Sequence, residues 1–235
     1  MLDVRELGQL YNDSYFGVMP DRYVWKEHQS NPTALAQVEF RFKGGCIGYI
    51  KSNLLDETKD VYNQQATPTL NLRKICDGVL FLEREGYHYI AILEMKSNFH
   101  DVRKKAVVQI PSSYVKLKSI LNDFVGYRRD DFKEFGLIVS YPHIDAPVTS
   151  SYNNPSVLEQ KRIMTGNHLE AVKDKYSNRL KKGQKADFLG SDFEFQQLNA
   201  VKKDLFFDKL PVRHHPVANH CVSAVVDLDP IVASL

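Results

Sequence analysis

The chain has 235 residues, of which 43% are hydrophobic and 26% are charged, and its formal net charge is +2. This balance excludes an intrinsically disordered chain, and no apolar run approaches the roughly 20 residues that a membrane-spanning helix needs. A net charge this close to zero neither requires nor excludes a polyanionic partner.

The three cysteines and the N-terminus indicate a cellular compartment. Cys46, Cys76 and Cys221 are far apart and form no CxxC pair, which predicts reduced and mostly buried thiols instead of disulfides or a zinc ribbon. The first residues, Met-Leu-Asp-Val-Arg-Glu-Leu, carry charges where a secretory signal needs an apolar run. We therefore expect a cytoplasmic protein with no membrane partner.

The N-terminal part predicts helices. A short helix is expected over 3–12, and Asn31-Pro32 indicates a second helix start, because proline is favoured at the first helical position. Apolar residues then recur at helical spacing, and Gly44-Gly45 divides the pattern. These apolar residues are Leu35, Val38, Phe42, Cys46, Tyr49 and Ile50.

A β-hairpin is predicted next, with strands over 72–83 and 87–95. Both strands contain continuous apolar runs, which are typical of central strands covered on both faces. Arg84-Glu85-Gly86 suits the tight turn between them, with the glycine in a left-handed conformation.

The segment after the hairpin predicts a β-α-β unit. A helix is expected from about 101 to 110, an interruption at Pro111, and a second helix over 112–124, because proline removes a backbone donor. Residues 135–140 are apolar and predict a buried strand parallel to the one before the helix. The predicted order is α-β-β-α-β, with one further strand unresolved.

After residue 140 the pattern is weaker. It predicts a loop over 141–156, a basic helix over 157–182, a helix over 196–207 and a final strand over 221–228. We interpret 141–235 as an elaboration of a single domain that spans 1–235. The basic residues between 161 and 185 either contact phosphate groups or form a solvated helix face.

The hairpin carries the residues with the clearest chemical meaning. Glu94 and Lys96 are two apart on a strand, so their side chains share a face and lie about 6–7 Å apart along it. A hairpin register places Asp77 at the same end of the sheet. The two carboxylates could share Mg²⁺ or Mn²⁺, with the carbonyl of Met95 as a further oxygen ligand.

This set of groups suits phosphodiester cleavage. A bound divalent metal lowers the pKa of its water from about 15.7 towards neutrality, and a lysine can steer that water or neutralise charge in the transition state. The competing interpretation is a solvated charge pair at a strand end, because Asp77, Glu94 and Lys96 are common residues at a common spacing.

Asp77 followed by Glu94-Met95-Lys96 resembles the PD-(D/E)xK nuclease superfamily over about residues 32–140. The resemblance implies an α/β restriction-endonuclease-like fold with an α-β-β-β-α-β core, in which helices flank a mixed central sheet. It also implies that Asp77, Glu94 and the Met95 carbonyl hold Mg²⁺ or Mn²⁺. Lys96 then activates water or stabilises charge.

Other family positions match less closely. Gln109 resembles the glutamine or lysine that faces the site from the following helix, and Tyr114 comes five residues later where relatives have a tyrosine after four. The glutamate of the family's first helix corresponds to either Glu39 or Glu57. Cys76 stands where the family name has a proline.

The function that the resemblance implies is a metal-dependent endonuclease acting on DNA, as used in phage defence, restriction or mobile-element processing. An RNase of the same fold is an alternative. So is a catalytically inactive protein that binds nucleic acid or a partner protein. Many relatives form homodimers. The chain lacks G-x-x-x-x-G-K-S/T, so a partner ATPase or sensor would be a separate subunit.

Two further groups of residues are candidates. Lys104 and Lys105 follow the hairpin closely and are the best single candidates for contacts with a nucleic-acid backbone. A histidine-rich stretch matches no common zinc spacing and contains Pro216, so we interpret it as a loop with ordinary histidines. Its residues are His214, His215, His220 and Cys221.

Overall fold

The structure, a computed structural model, describes residues 4–26, 34–58, 60, 62, 66–142, 168–183 and 185–235. They form an α/β fold in which helices flank one open, mixed sheet of eight strands. The strands are β1 Phe16–Lys26, β2 Gln37–Lys51, β3 Gly78–Arg84, β4 Tyr87–Lys96, β5 Lys133–Ser140, β6 Lys185–Leu189, β7 Lys209–Pro216 and β8 Ser223–Asp227.

In the described part of the chain, four helical elements accompany the sheet. The longest, α2, is a continuous stretch of three segments, of which the middle one is a π-helical turn. The helices are α1 Ser52–Glu57, α2 (Phe99–Asp101, Val102–Ala106 and Val107–Leu121), α3 His168–Leu180 and α4 Asp229–Val232. Short 3-10 turns cover Val4–Gln9, Asp13–Tyr15, Arg129–Asp131, Lys181–Gly183, Gly190–Phe193, Phe195–Gln197 and Lys203–Leu205.

The strands lie in the order β1-β2-β3-β4-β5-β7-β6, and β8 pairs with β2. Strand β8 is parallel to β2, and β6 is antiparallel to β7. Successive strands from β1 to β4 are antiparallel to one another, whereas β4, β5 and β7 are parallel. The carboxyl ends of β4, β5 and β7 therefore meet at one edge of the sheet. The predicted β-α-β unit is confirmed as β4-α2-β5.

The predicted helix after residue 32 is wrong, because the described part of this region forms strand β2. Residues 37–43 alternate strictly between polar and apolar side chains, and this period of two belongs to a strand. Val38, Phe40 and Phe42 are fully buried, while Arg41 and Lys43 are exposed. Asn31-Pro32 lies outside the described residues.

The predicted break at Pro111 is also wrong, because α2 continues through it. A proline inside a helix costs roughly 3 kcal/mol. The burial of almost the whole length of the helix outweighs that cost, since Ile110, Pro111, Tyr114 and Leu117 are all buried in the core.

Outcomes in the C-terminal part are mixed. The final strand is confirmed as β8, and the basic helix is confirmed over His168–Leu180. The helix predicted over 196–207 is wrong, because this region contains 3-10 turns that stack Phe195 on Phe206 at 4.6 Å between ring centroids. Residues 143–167, which include most of the predicted loop, lie outside the described residues.

The sheet separates two apolar cores. Side chains such as Val79 and Ile92 pack against α2 and α3 on one face. On the other face, Leu80 and Leu93 pack against the first half of β2, β8 and α4. Within the described part of the chain, no helix has both the length and the apolar character needed to cross a membrane.

The three cysteines are free, and only one of them is fully buried. Cys76 lies in the core between the hairpin and α2, Cys221 is half-buried, and Cys46 is exposed. The expected burial of the thiols therefore holds for Cys76 alone.

Candidate active site

The hairpin register places Asp77 beside the last residues of β4. Gly78 pairs with Leu93, and the backbone N–H of Asp77 donates to the carbonyl of Leu93 at 3.0 Å. Strand β4 continues to Lys96, three residues beyond the end of this pairing. The side of β4 that faces β3 is therefore open to the Asp77 carboxylate.

Asp77 uses this opening to bind the backbone of Met95. The Met95 N–H donates to Asp77 Oδ2 at 2.5 Å. The N–H and C=O of one strand residue point to the same side, so the Met95 carbonyl also faces the aspartate. This carbonyl accepts a hydrogen bond from Lys96 Nζ at 2.9 Å.

Glu94 and Lys96 point to the face of the sheet that α2 covers. The Lys96 ammonium forms a close ion pair with Glu94 Oε1 and lies 3.8 Å from Asp77 Oδ2. The Glu94 side chain is 0% exposed, whereas Lys96 is 12% and Asp77 17% exposed. The structure thus brings together the four predicted groups, including the Met95 carbonyl, at a site that solvent reaches from one side.

The Glu94 carboxylate lacks the hydrogen bonds that buried acids normally have. Among the described residues, Oε2 has no partner, and the one contact of Oε1 is the close ion pair with the Lys96 ammonium. A buried carboxylate without hydrogen bonds is costly, and native proteins rarely leave one without a functional reason.

This donor set fits Mg²⁺ or Mn²⁺. Both ions prefer oxygen ligands, and Mg²⁺ commonly takes one or two carboxylates while it keeps several waters. Asp77, Glu94 and the Met95 carbonyl provide such a set, and the Glu94 oxygens have free acceptor capacity. Among the residues that the structure describes, no three His, Cys, Asp or Glu side chains are grouped as metal ligands.

Burial and neighbouring charge act against each other at Asp77. Burial raises the pKa of its carboxyl above the ordinary value, whereas the Lys96 ammonium and the Met95 N–H lower it. Burial is the larger effect. The pKa of Asp77 is therefore raised on balance, although the Lys96 ammonium is nearby.

Gln109 supports the segment that leads into Asp77. Its Nε2 donates to the carbonyl of Ile75 at 2.5 Å, and its Oε1 is buried without a partner. The next residue, Cys76, donates its backbone N–H to Ser113 Oγ at 2.7 Å. The predicted site glutamine thus lies next to the approach to Asp77, and no contact joins it to the carboxylates.

The two candidates for the first-helix glutamate are not brought to the site. Glu39 lies on β2, where it pairs with Arg41 at 2.6 Å, and Glu57 at the end of α1 accepts a hydrogen bond from Tyr15. Neither forms a group of three acids with Asp77 and Glu94. Neither glutamate therefore lies on a first long helix, as the resemblance requires.

Tyr114, whose spacing departs from the family pattern, is not brought to the carboxylates. Its hydroxyl donates to Glu134 Oε2 at 2.6 Å, near the start of β5. The carboxylate site lies at the other end of this parallel pair of strands, where Glu94 pairs with Ile138. Tyr114 therefore belongs to a separate buried cluster.

The interpretation of the histidine-rich stretch as a loop is wrong for His214 and His215, which lie on β7. Buried Leu210, Val212 and His214 alternate with more exposed residues, as a strand requires. This alternation was the signal that the sequence offered, and Pro211 and Pro216 obscured it.

His214 lies on β7, which β5 separates from β4, and it was not predicted to be near the site. Its Nδ1 donates to the Leu180 carbonyl at 2.7 Å, and its Nε2 is 2.8 Å from Ser140 Oγ. Ser140 pairs in register with Lys96. Burial lowers the pKa of His214 to about 4, so the ring is neutral near pH 7.

The basic candidates are partly neutralised by acids. Lys105 pairs with Asp101 at 3.4 Å. On α3, Lys173 pairs with Glu170 at 2.7 Å, and Lys175 lies 2.6 Å from an aspartate that follows β6. The side chain of Lys104 and the residues Lys161 and Arg162 lie outside the described part. Nucleic-acid contacts by these residues remain a prediction.

Comparison of the chain with family models, with curated proteins and with solved structures finds no match. The geometry of the site is therefore the basis for assigning a function.

Proposed function

We propose that the chain is a metal-dependent endonuclease that hydrolyses phosphodiester bonds in DNA. The observation that carries this proposal is the fully buried Glu94 carboxylate, whose Oε2 has no partner among the described residues and whose Oε1 contacts the Lys96 ammonium alone. Asp77, Lys96 and the Met95 carbonyl surround it at the end of a strand. Two acids, one carbonyl and one ammonium are suited to holding a divalent ion beside an attacking water.

The order of the elements supports a restriction-endonuclease-like core as part of the proposal. Strands β2, β3 and β4 are successive antiparallel neighbours, and α2 then leads to the parallel strand β5. This sequence corresponds to β-β-β-α-β. Among the described residues before β2, the family's first helix has no long counterpart, because these residues form β1 and short 3-10 turns.

The mechanism assigns each group a role. Asp77, Glu94 and the Met95 carbonyl would hold Mg²⁺ or Mn²⁺, which supplies Lewis acidity and a bound water of lowered pKa. The Met95 N–H fixes the orientation of Asp77 through its 2.5 Å hydrogen bond. Lys96 stabilises negative charge that develops on the phosphate oxygens, and it orients the attacking water. Gln109 fixes the backbone before Asp77.

The test is a nicking assay on supercoiled plasmid with Mn²⁺ or Mg²⁺. We expect the wild type to nick the plasmid and Lys96→Ala to be slower by roughly 100-fold or more, the scale of positioned proton-transfer and charge-stabilising groups. Lys74→Ala is the matched control, because Lys74 is exposed three residues before Asp77. Absence of nicking across several metals and substrates, or full activity of Lys96→Ala, would contradict the proposal.

The RNase alternative is tested with the same proteins. Single-stranded RNA and duplex DNA are compared at equal metal concentration, because no motif in the chain indicates recognition of a 2′-hydroxyl. A catalytically inactive protein that binds nucleic acid or a partner would cut neither substrate.

The biological setting is part of the proposal and comes from the family resemblance. We place the protein in the cytoplasm, in phage defence, restriction or mobile-element processing. It would act there as a homodimer or with a separate ATPase or sensor subunit. Gel filtration with and without DNA measures the first of these assemblies.

A further inference from the structure

The Lys96 ammonium contacts each of the three groups that would hold the proposed metal. Its Nζ contacts Glu94 Oε1, is 2.9 Å from the Met95 carbonyl oxygen and is 3.8 Å from Asp77 Oδ2. One cation therefore already bridges the two carboxylates and the carbonyl that would hold the divalent ion.

The ion pair between Lys96 and Glu94 matters because the Glu94 carboxylate is buried. Glu94 is 0% exposed, and a buried carboxylate without a partner is strongly disfavoured. Within the described part of the chain, Lys96 is the cation in contact with both Glu94 and Asp77. Its side chain is 12% exposed, so its end borders solvent.

We propose that Lys96 is the resident counter-ion of the metal-free site and that a divalent ion binds by displacing its ammonium from the three oxygens. The identity of the ion rests on the proposed function. The four-carbon side chain of lysine is flexible, so the displaced ammonium stays within reach of the site. Metal binding would then free the Lys96 ammonium to contact the phosphate. In the metal-free protein the ammonium would stay bound to the three oxygens.

The exchange has a measurable consequence for metal affinity. An ion that must displace an ammonium binds more weakly than one that enters the same site without competition. Lys96→Met keeps the length of the side chain and removes its charge. We expect it to bind Mn²⁺ about tenfold more tightly than the wild type, the scale set by close charge pairs. Isothermal titration calorimetry measures both constants.

Lys51→Met is the matched control for general charge removal. Lys51 pairs across the strands with Gly78, next to Asp77, and its Nζ donates to the Ser14 carbonyl at 2.8 Å. The Lys51→Met substitution therefore removes one positive charge at the same end of the sheet and leaves the contacts of Lys96 with the three oxygens unchanged. We expect its Mn²⁺ affinity to stay within about threefold of the wild type. A gain equal to that of Lys96→Met would overturn the exchange.

Thermal unfolding without metal tests the counter-ion role independently of activity. Lys96→Met should melt at a lower temperature than the wild type, because Glu94 loses its cation, and Mn²⁺ should raise its melting temperature more than that of the wild type. Where Lys96→Met does not fold alone, the double variant Lys96→Met, Glu94→Gln decides. It should fold, because both charges are gone. A double variant as unstable as the single one would show a packing role and overturn the proposal.

The failures of the two proposals are distinguishable. Metal-dependent nicking by the wild type, with unchanged Mn²⁺ affinity in folded Lys96→Met, overturns the exchange alone. Absence of Mn²⁺ binding by both proteins overturns the exchange and also the metal requirement of the proposed function. Tighter binding by Lys96→Met with no nicking by the wild type supports the exchange and leaves the nuclease activity contradicted.

Discussion

The helix-covered face of the sheet carries two buried lysine–carboxylate pairs, and they differ in how completely they are hydrogen-bonded. At the start of β5, Glu134 Oε1 accepts hydrogen bonds from Lys118 at 2.6 Å and Tyr127 at 3.1 Å, and Oε2 accepts from Tyr114 at 2.6 Å. Lys118 is 1% exposed, and burial lowers its pKa against the opposing effect of Glu134. Both Glu134 oxygens therefore have hydrogen-bond donors, and we call Glu134–Lys118 the closed pair.

At the other end of β4 and β5, the Glu94–Lys96 pair is open. Glu94 Oε1 has the ion pair with Lys96, and Oε2 has no partner among the described residues. The same fold therefore shows how it satisfies a buried acid when the acid is structural. The missing bonds at Glu94 are best explained by a partner that joins the site, because unsatisfied buried charge costs stability.

Breaking the closed pair should have the largest effect. Lys118→Met removes the cation that contacts Glu134 at 2.6 Å and leaves Arg129 at 3.9 Å, which is 38% exposed, so we expect the free energy of unfolding to fall by about 3–5 kcal/mol. Urea denaturation measures the loss, with exposed Lys74→Met as the control that should behave as the wild type. A loss below about 1 kcal/mol would mean that the tyrosines and Arg129 satisfy Glu134 without Lys118 and would weaken the contrast between the two ends.

Acid should affect the site end through His214. Burial lowers its pKa from 6.5 to about 4, so the folded state binds fewer protons than the unfolded state between these values. The stability is therefore complete above about pH 6.5 and is lost as the pH falls towards 4. The loss reaches roughly 3 kcal/mol once both states are protonated.

The measurement is the free energy of unfolding of wild type and His214→Gln at several pH values between 7 and 4. The difference between the two proteins isolates His214 from other groups, including His215, whose pKa burial also lowers. Parallel curves for the two proteins would show that His214 does not carry this dependence.

The sequence was informative where local pattern decides structure. The hairpin was predicted because its two apolar runs flank Arg84-Glu85-Gly86, which suits a tight turn. In the structure, Glu85 and Gly86 have φ of 52° and 79°, as a type I′ turn requires. The shared face of Glu94 and Lys96 follows from the period of a strand. These features need no information from distant parts of the chain.

Strand β2 shows why the neighbouring pattern misled. Leu35, Val38 and Phe42 stand at helical spacing, but Val38, Phe40 and Phe42 also alternate, and the two periods share positions. Pairing with both β1 and β8 selects the strand. This pairing joins residues far apart in sequence, so the local pattern could not decide between the periods.

The neighbours of the site were beyond prediction for the same reason. His214 lies near the site because β7 pairs with β5. Tyr114 lies away from it because its hydroxyl binds Glu134 near the start of β5. Likewise, the spacing placed Glu94 and Lys96 together, but only the register of β3 shows that Lys96 also lies near the Met95 carbonyl and Asp77.

The start of α2 should be less firmly held than its far end. Asn98 Oδ1 accepts a hydrogen bond from the Asp101 N–H at 2.7 Å and caps the helix just after Lys96. We expect Asn98→Ala to lower the free energy of unfolding by about 1 kcal/mol, whereas Asn98→Ser retains a capping oxygen and most of the stability. Equal losses in both variants would assign the effect to the Asn98–Asp101 side-chain contact instead of the cap.

The smallest expected change has the opposite sign and is the sharpest test of the comparison. Glu94→Gln removes a buried charge that lacks hydrogen bonds, and Lys96 keeps Asp77 as a partner. Without metal, we expect the free energy of unfolding to rise by up to about 1 kcal/mol, whereas Glu134→Gln in the closed pair should lower it. Urea denaturation in the presence of a chelator compares them. If both variants lose stability equally, the Glu94–Lys96 pair is as structural as its counterpart, and the proposed metal site loses the observation on which it depends.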